Sequence, residues 1–171
     1  EKFLDIKCRL AELTPSAVVV VATVRALKNH GGVPKAELNT ENLEALERGL
    51  PNLLQHVENI TQVFGLPCVV AINAFPTDTP AELQLVEERC RALGVRVALS
   101  EVWAKGGAGG EALAQEVIRL CEQPNHFQFA YDTAESIEEK LNDIARKIYH
   151  ADGAVLTPAA RKQARELEDL G

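Results

Sequence analysis

The sequence predicts an α/β protein in which a parallel sheet lies between two layers of helices. Three short apolar runs, at residues 17–24, 67–72 and 95–99, are rich in β-branched residues and are predicted strands. The first two runs are almost unbroken, which is typical of central strands that are covered on both faces. Helical patterns lie between the runs, and this alternation predicts right-handed crossovers in a three-layer sandwich.

The first and third strands are each followed by a predicted helix. The first helix extends from about residue 40 to about residue 65, because apolar residues recur there every three or four positions. Pro51 lies inside this pattern and is expected to kink or divide the helix. The helix after the third strand is predicted over residues 110–121.

The helix after the second strand has the clearest boundaries in the sequence. Thr79 is its predicted N-cap, and Pro80 occupies the first helical position, where its missing N–H costs nothing. Glu82 completes a capping box with Thr79. Gly94 marks the end of the helix.

The pattern changes beyond residue 123. An extended aromatic segment is followed by two predicted helices, at residues 136–149 and 158–170. We therefore divide the chain into an α/β part, residues 1–123, and an α-rich flank, residues 124–171.

Composition limits the classes of function. The 171 residues include 18 Lys and Arg against 25 Asp and Glu, a net charge of −7, so the basic field of a nucleic-acid-binding protein is missing. The longest apolar run is far shorter than the roughly 20 residues of a membrane-spanning helix. Nothing at the start resembles a signal peptide. We expect a cytoplasmic protein that binds neither nucleic acid nor membrane.

The cysteines do not form a recognisable metal or redox motif. Zinc sites and redox pairs need ligands at close, fixed spacings, whereas these cysteines are far apart and have no adjacent histidine. We therefore predict buried free thiols and no metal site. The residues concerned are Cys8, Cys68, Cys90 and Cys121.

The loop after the first strand, residues 23–32, combines cations with a glycine pair. Arg25, Lys28 and His30 precede Gly31 and Gly32, a combination that suits an anionic ligand. Alternatively, the glycines only form a turn and the cations pair with surface carboxylates. The sequence leaves both interpretations open.

The loops after the second and third strands carry aromatic residues. Ligands of open parallel sheets bind beyond the carboxyl ends of the strands, where these loops meet. Asn73 could recognise the polar edge of a heterocycle, and Phe75 lies either in the mouth of the crevice or in the core. Trp103, the only tryptophan, precedes the glycine-rich residues 106–110, which lack the spacing of a phosphate-binding loop. Two aromatic rings with a gap between them suit a flat conjugated ligand.

Several motifs carry a family resemblance. They are EKF at 1–3, DIKCR at 5–9, VATVRALK at 21–28, HGG at 30–32, AINAFPTDT at 71–79, WAKGG at 103–107, IY at 148–149 and AD at 151–152. Together they closely resemble formate–tetrahydrofolate ligase, over essentially the whole chain. The short segment after Gly32 is similar to that of the prokaryotic, single-function members.

The resemblance implies an enzyme with a P-loop-type α/β fold. The P-loop segment itself is missing from these 171 residues. Such an enzyme converts formate, ATP and tetrahydrofolate into 10-formyltetrahydrofolate, ADP and phosphate through formyl phosphate. The implied folate-binding residues are Phe75 and Trp103, which sandwich the pterin ring, and Pro76 and Leu99, which add apolar contacts. By analogy with the base-recognition motif of nucleotide-binding proteins, Asn73 and Asp78 are candidates for binding the nucleotide base.

The resemblance also predicts what this chain lacks. The sequence contains no methionine, even at position 1, and it opens within a predicted helix, so we expect a piece of a longer enzyme. The family's phosphate-binding loop lies upstream of Glu1, and the chain should therefore contain no catalytic residue and be inactive alone. The full enzyme is expected to use Mg²⁺ and a monovalent cation, and to form a homo-oligomer.

Two other functions stay open at this point. One is a non-catalytic, ligase-like interaction module. The other is a small anion-binding protein that uses His30, Gly31 and Gly32.

Overall fold

The structure is a computed structural model that describes residues 1–170. The chain forms two compact units: residues 15–126, and residues 1–14 together with the segment from Phe127 onward. The sequence-based division assigns residues 1–14 to the α/β part, whereas their contacts group them with the C-terminal helices.

The unit of residues 15–126 is built on a parallel sheet in the order β1-β2-β3. Helices α1, α2 and α3 cover one face of the sheet and α5 covers the other, which confirms the three-layer α/β architecture. The elements are β1 (Val18–Ala22), α1 (Val24–His30), α2 (Leu43–Glu58), β2 (Cys68–Asn73), α3 (Pro80–Ala92), β3 (Arg96–Ser100), α4 (Val102–Lys105) and α5 (Glu111–Cys121).

The central strand β2 is buried on both faces, as its unbroken apolar sequence predicts. Val70 and Ile72 pack into the large core cluster with the leucines of α2. Val69 points to the opposite face, where it packs with Ala98 and Leu120.

The first strand differs from its prediction. Its sequence favours a central strand, yet β1 is an edge of the sheet among the described residues and pairs only with β2. Val18 and Val20 pack against the large core cluster, whereas Val19 and Val21 on the other face are exposed. The prediction that both faces are covered therefore holds for β2. It is wrong for β1, because α5 packs over β2 and β3 and leaves one face of β1 exposed.

Helix α2 runs without a break through Pro51, so the proline does not divide the helix. It begins after Asn42, whose side-chain Oδ1 accepts a hydrogen bond from the N–H of Ala45 at 2.9 Å. Pro51 and Glu47, whose carbonyl loses its helical partner, are both exposed. Water can therefore replace the missing bond, and the helix tolerates the proline.

The segment 23–32, predicted as a loop, is largely the helix α1. Thr23 caps it, with its Oγ1 accepting a hydrogen bond from the N–H of Ala26 at 3.1 Å. α1 packs closely on α2, since a Cβ added to Gly31 would lie 1.8 Å from the carbonyl oxygen of Ala45. Gly32 has a φ of +98°, which favours glycine.

The second unit contains the π-helical segment Lys2–Cys8 and the helices α6 (Ile137–Lys147) and α7 (Pro158–Glu168). Asp5 is buried, and its Oδ1 accepts a hydrogen bond from the N–H of Ala130 at 2.7 Å. Burial raises the pKa of Asp5 in spite of this bond. No helix among the described residues combines the length and apolar character that a membrane span requires.

Three cysteines are buried as predicted, and the fourth is not. Cys121 is exposed at the end of α5, so the prediction is wrong for this residue. Burial raises the pKa of Cys68 and of Cys90 to about 11. These two thiols are thus both inaccessible and protonated at neutral pH.

This difference predicts the reactivity of the thiols. A colorimetric thiol reagent at pH 8 should modify Cys121 rapidly in the native chain, and the other three cysteines only after unfolding in guanidinium chloride. The control is Cys121→Ser, which should abolish the rapid phase. Rapid modification of more than one thiol in the native protein would contradict the burial described here.

Candidate functional site

The two aromatic residues singled out by the sequence lie at the carboxyl end of the sheet. β2 ends at Asn73, which is aligned with Ser100 at the end of β3, and Phe75 and Trp103 follow these two strands. The indole Nε1–H of Trp103 donates a hydrogen bond to the carbonyl oxygen of Ala74 at 2.8 Å. This bond joins the Trp103 side chain to the residue immediately before Phe75.

Phe75 begins a tight turn that is closed by Asp78. The N–H of Phe75 donates to Oδ2 of Asp78, and the N–H of Asp78 donates to the carbonyl of Phe75, both at 2.9 Å. Phe75 is 38% exposed, so its ring is not a core residue. Pro76 is the next residue in the turn and is also exposed.

The other oxygen of Asp78 has no protein donor. Its Oδ1 is buried, and no hydrogen-bond partner exists for it within residues 1–170. Burial raises the pKa of Asp78, even though the bond from the Phe75 N–H acts in the opposite direction. The turn therefore contains a carboxyl group with one oxygen that accepts no hydrogen bond from the described residues.

Trp103 lies in the short helix α4 and is 61% exposed. The backbone around it is held by Glu101, whose N–H donates to the carbonyl of Gly109 at 3.0 Å. Within residues 1–170, neither Phe75 nor Trp103 forms a ring-to-ring contact, whereas Phe127 and Phe129 pack edge to face. Phe75 and Trp103 are thus both exposed at one end of the sheet without stacking on each other.

Leu99 lies on the face of β3 that looks toward α3. It lines a groove of about 560 Å³ together with Pro80 and Leu83, and it is partly exposed there. Ile72, its partner in the sheet register, borders the same groove. The structure thus gives Leu99 an open apolar surface near the carboxyl end of the sheet.

A buried ion pair lies behind these loops, and the sequence did not reveal it. Nζ of Lys28 in α1 lies 2.8 Å from Oε1 of Glu82 in α3, and both side chains are fully buried. Lys28 also donates to the carbonyl of Thr40 at 3.0 Å. Lys28 is therefore available neither to an external anion nor to a surface carboxylate, and both sequence-based interpretations of this residue are wrong.

Glu82 connects three segments through its carboxylate. Besides Lys28, it accepts hydrogen bonds from the backbone N–H groups of Asn42 and Thr79, each at 3.1 Å. Burial alone would raise the pKa of Glu82, but the hydrogen bonds from Lys28 and the two amides lower it below its usual value. The capping box predicted for Thr79 and Glu82 is confirmed. The capping box was the only feature of the sequence that indicated a role for Glu82, and it did not predict the ion pair with Lys28.

The remaining cations of the first loop do not converge on one point. Arg25, in the first turn of α1, places its guanidinium carbon 5.8 Å from the centroid of the Phe75 ring. His30 is exposed at the other end of α1. Gly31 and Gly32 serve helix packing and a left-handed turn. The arrangement gives no support to an anion site built on His30 and the glycine pair.

Phe75 and Trp103 are thus the two exposed aromatic side chains that follow β2 and β3. No group of three or more His, Cys, Asp or Glu side chains in residues 1–170 is placed to hold a metal ion. In a comparison with models of protein families, the model described as formate–tetrahydrofolate ligase matches residues 1–171.

Proposed function

The chain belongs to the formate–tetrahydrofolate ligase family, and we propose that it supplies the folate-binding part of an ATP-dependent ligase. In the proposed reaction, ATP phosphorylates formate, and N10 of tetrahydrofolate attacks the carbonyl carbon of formyl phosphate. Phosphate leaves, and 10-formyltetrahydrofolate and ADP are the other products. The reaction belongs to one-carbon metabolism.

One observation carries the proposal for the folate site. The hydrogen bond from Trp103 Nε1 to the Ala74 carbonyl joins the segments that carry the two exposed aromatic residues after β2 and β3. A pterin ring between them would stack on Phe75 on one side and on Trp103 on the other, and stacking adds to the gain from buried apolar area. Pro76 and Leu99 are proposed as apolar contacts at the edges of the ring.

For the nucleotide base we propose Asn73 and Asp78. Asn73 is half-buried at the end of β2, and Oδ1 of Asp78 is an acceptor without a protein donor. An amide and a carboxyl oxygen together can pair with the donors and acceptors on the edge of a purine base.

We assign no catalytic step to this chain. None of its residues forms the G-x-x-x-x-G-K-[S/T] loop that cradles the phosphates of ATP, so the chain alone should not turn over. Mg²⁺ and a monovalent cation are proposed as ions of the complete reaction and are assigned to no residue here. The ligase is proposed to be a cytoplasmic homo-oligomer in which the rest of the ligase chain is the partner of these residues.

The folate site can be tested by calorimetric titration with tetrahydrofolate. Phe75→Ala and Trp103→Ala should each weaken binding by about 1–3 kcal/mol, a factor of roughly 5 to 150, because each removes one stacking surface. In the wild-type chain, the fluorescence of Trp103 should change saturably with the same dissociation constant, since this is the only tryptophan.

Phe3→Ala is the matched control. Phe3 is likewise exposed and is not among the residues proposed for the folate site, so its removal should leave folate binding unchanged. Equal affinities for the wild-type chain and both site variants would refute the proposed folate site.

A further inference from the structure

We propose that Arg25 is a positioning residue for Phe75: its guanidinium covers one face of the ring and leaves the opposite face to the ligand. The inference rests on the proposed folate site, and it specifies which face of Phe75 the pterin uses. Arg25 thereby restricts the motion of the Phe75 ring in that site.

The first support is the geometry between two neighbouring loops. Arg25 stands at the start of α1, directly after β1, and Phe75 follows the adjacent parallel strand β2. The guanidinium carbon lies over the Phe75 ring, 5.8 Å from the centroid. This distance is within the range of about 6 Å at which a cation is attracted to the electron-rich face of an aromatic ring.

The second support is the charge state of Arg25. Within residues 15–126, every other lysine and arginine except the exposed Lys35 has a carboxylate within 4.0 Å. Arg25 is half-buried and has no such partner, and it donates instead to the neutral Oδ1 of Asn39. Arg25 acts electrostatically against the burial that raises the pKa of the Asp78 carboxyl, but no carboxylate of residues 15–126 lies within 4.0 Å of its guanidinium. Its positive charge is therefore not held in a close ion pair and remains available to the ring.

The third support is the way the Phe75 backbone is held. The turn is closed by two hydrogen bonds between Phe75 and Asp78, so the backbone of Phe75 is fixed independently of its ring. Arg25 then restrains the ring from one side. A stacking residue that is already ordered loses less conformational entropy when the ligand binds.

The test is the dissociation constant of tetrahydrofolate, measured by calorimetry on the 171-residue chain. Arg25→Met keeps an unbranched stem but removes the cation, and it should weaken binding by a factor of about 2 to 5, the usual strength of an exposed cation–ring contact. Arg25→Lys should restore part of the loss, because an ammonium group is also attracted to the ring. Lys35→Met, which removes the other unpaired cation of this unit, is the control and should have no effect.

A double-mutant cycle separates the positioning role from a direct contact with the ligand. In the Phe75→Leu background, Arg25→Met should cause no further loss, because there is no ring left to restrain. An equal loss in both backgrounds would show that Arg25 acts directly on the ligand and would overturn the inference. A loss of the same size in Lys35→Met would overturn it as well, by indicating a general charge effect.

The cycle also distinguishes failure of this inference from failure of the proposed function. If Phe75→Leu weakens folate binding and Arg25→Met does not, the folate site stands and the positioning role is wrong. If neither variant changes the affinity, or the wild-type chain does not bind tetrahydrofolate, both are wrong.

Discussion

Replacement of Lys28 by methionine is expected to lower the free energy of unfolding by about 3–5 kcal/mol. Methionine fills much of the space of the lysine but leaves the carboxylate of Glu82 buried without its cation. The loss should be measured by urea denaturation followed by far-UV circular dichroism. Such a large effect is expected only for a buried pair, because an exposed ion pair contributes at most about 1 kcal/mol.

Arg89→Met provides the matched control for an exposed ion pair. Arg89 pairs with Glu47 between α2 and α3, and both side chains are about half exposed. Its replacement should cost less than about 1 kcal/mol. Equal losses for the Lys28 and Arg89 variants would contradict the burial of the Lys28–Glu82 pair.

The pH dependence of the Lys28 effect has a definite sign. In the wild-type protein the pKa of Glu82 is lowered, so its stabilising contribution is present above the unfolded pKa and is lost as pH falls through the folded pKa. Without Lys28, burial raises the pKa of Glu82, and the carboxyl becomes neutral at a higher pH. The difference in the free energy of unfolding between Lys28→Met and the wild-type chain should therefore be smaller at pH 4.5 than at pH 7.

Replacement of Gly49 by alanine is expected to destabilise the chain by about 3 kcal/mol or more. Gly49 lies inside α2, where alanine ordinarily stabilises a helix by about 1 kcal/mol relative to glycine. Here the added Cβ would lie 1.9 Å from the carbonyl oxygen of Leu27, which is backbone of α1 and cannot rotate away. The two helices would have to separate, and urea denaturation would report the loss.

Gly107→Ala is the control for this prediction. A Cβ at Gly107 meets no atom within 4 Å, and this glycine does not have a positive φ. Its replacement should change the free energy of unfolding by no more than about 0.5 kcal/mol. If Gly49→Ala were as stable as Gly107→Ala, the close approach of α1 and α2 described here would be wrong.

Local signals in the sequence predicted most of the fold correctly. The strand runs and the capping box of α3 are patterns of neighbouring residues. Both are present in the structure, because they depend on interactions between residues that are close in sequence. The helix α1 was missed because its first residue, Val24, continues the apolar run of β1. The position of β1 at the sheet edge was missed because strand order depends on how distant segments pack.

The candidate site divides in the same way. The sequence could place Phe75 and Trp103 after adjacent strands, since parallel strands all end at one edge of the sheet. It could not predict the hydrogen bond from Trp103 to Ala74, nor the position of Arg25 over the Phe75 ring, because these contacts join residues from different crossovers.

By itself, then, the sequence determined the α/β class, the helix caps, the placement of the aromatic residues and the family of the chain. Only the tertiary structure decided which charges are buried, which helices touch through glycine and which face of β1 stays uncovered. The physical reason is that hydrophobic periodicity and capping are short-range properties. The ion pair between Lys28 and Glu82, in contrast, exists only after α1 and α3 have both packed on the same face of the sheet.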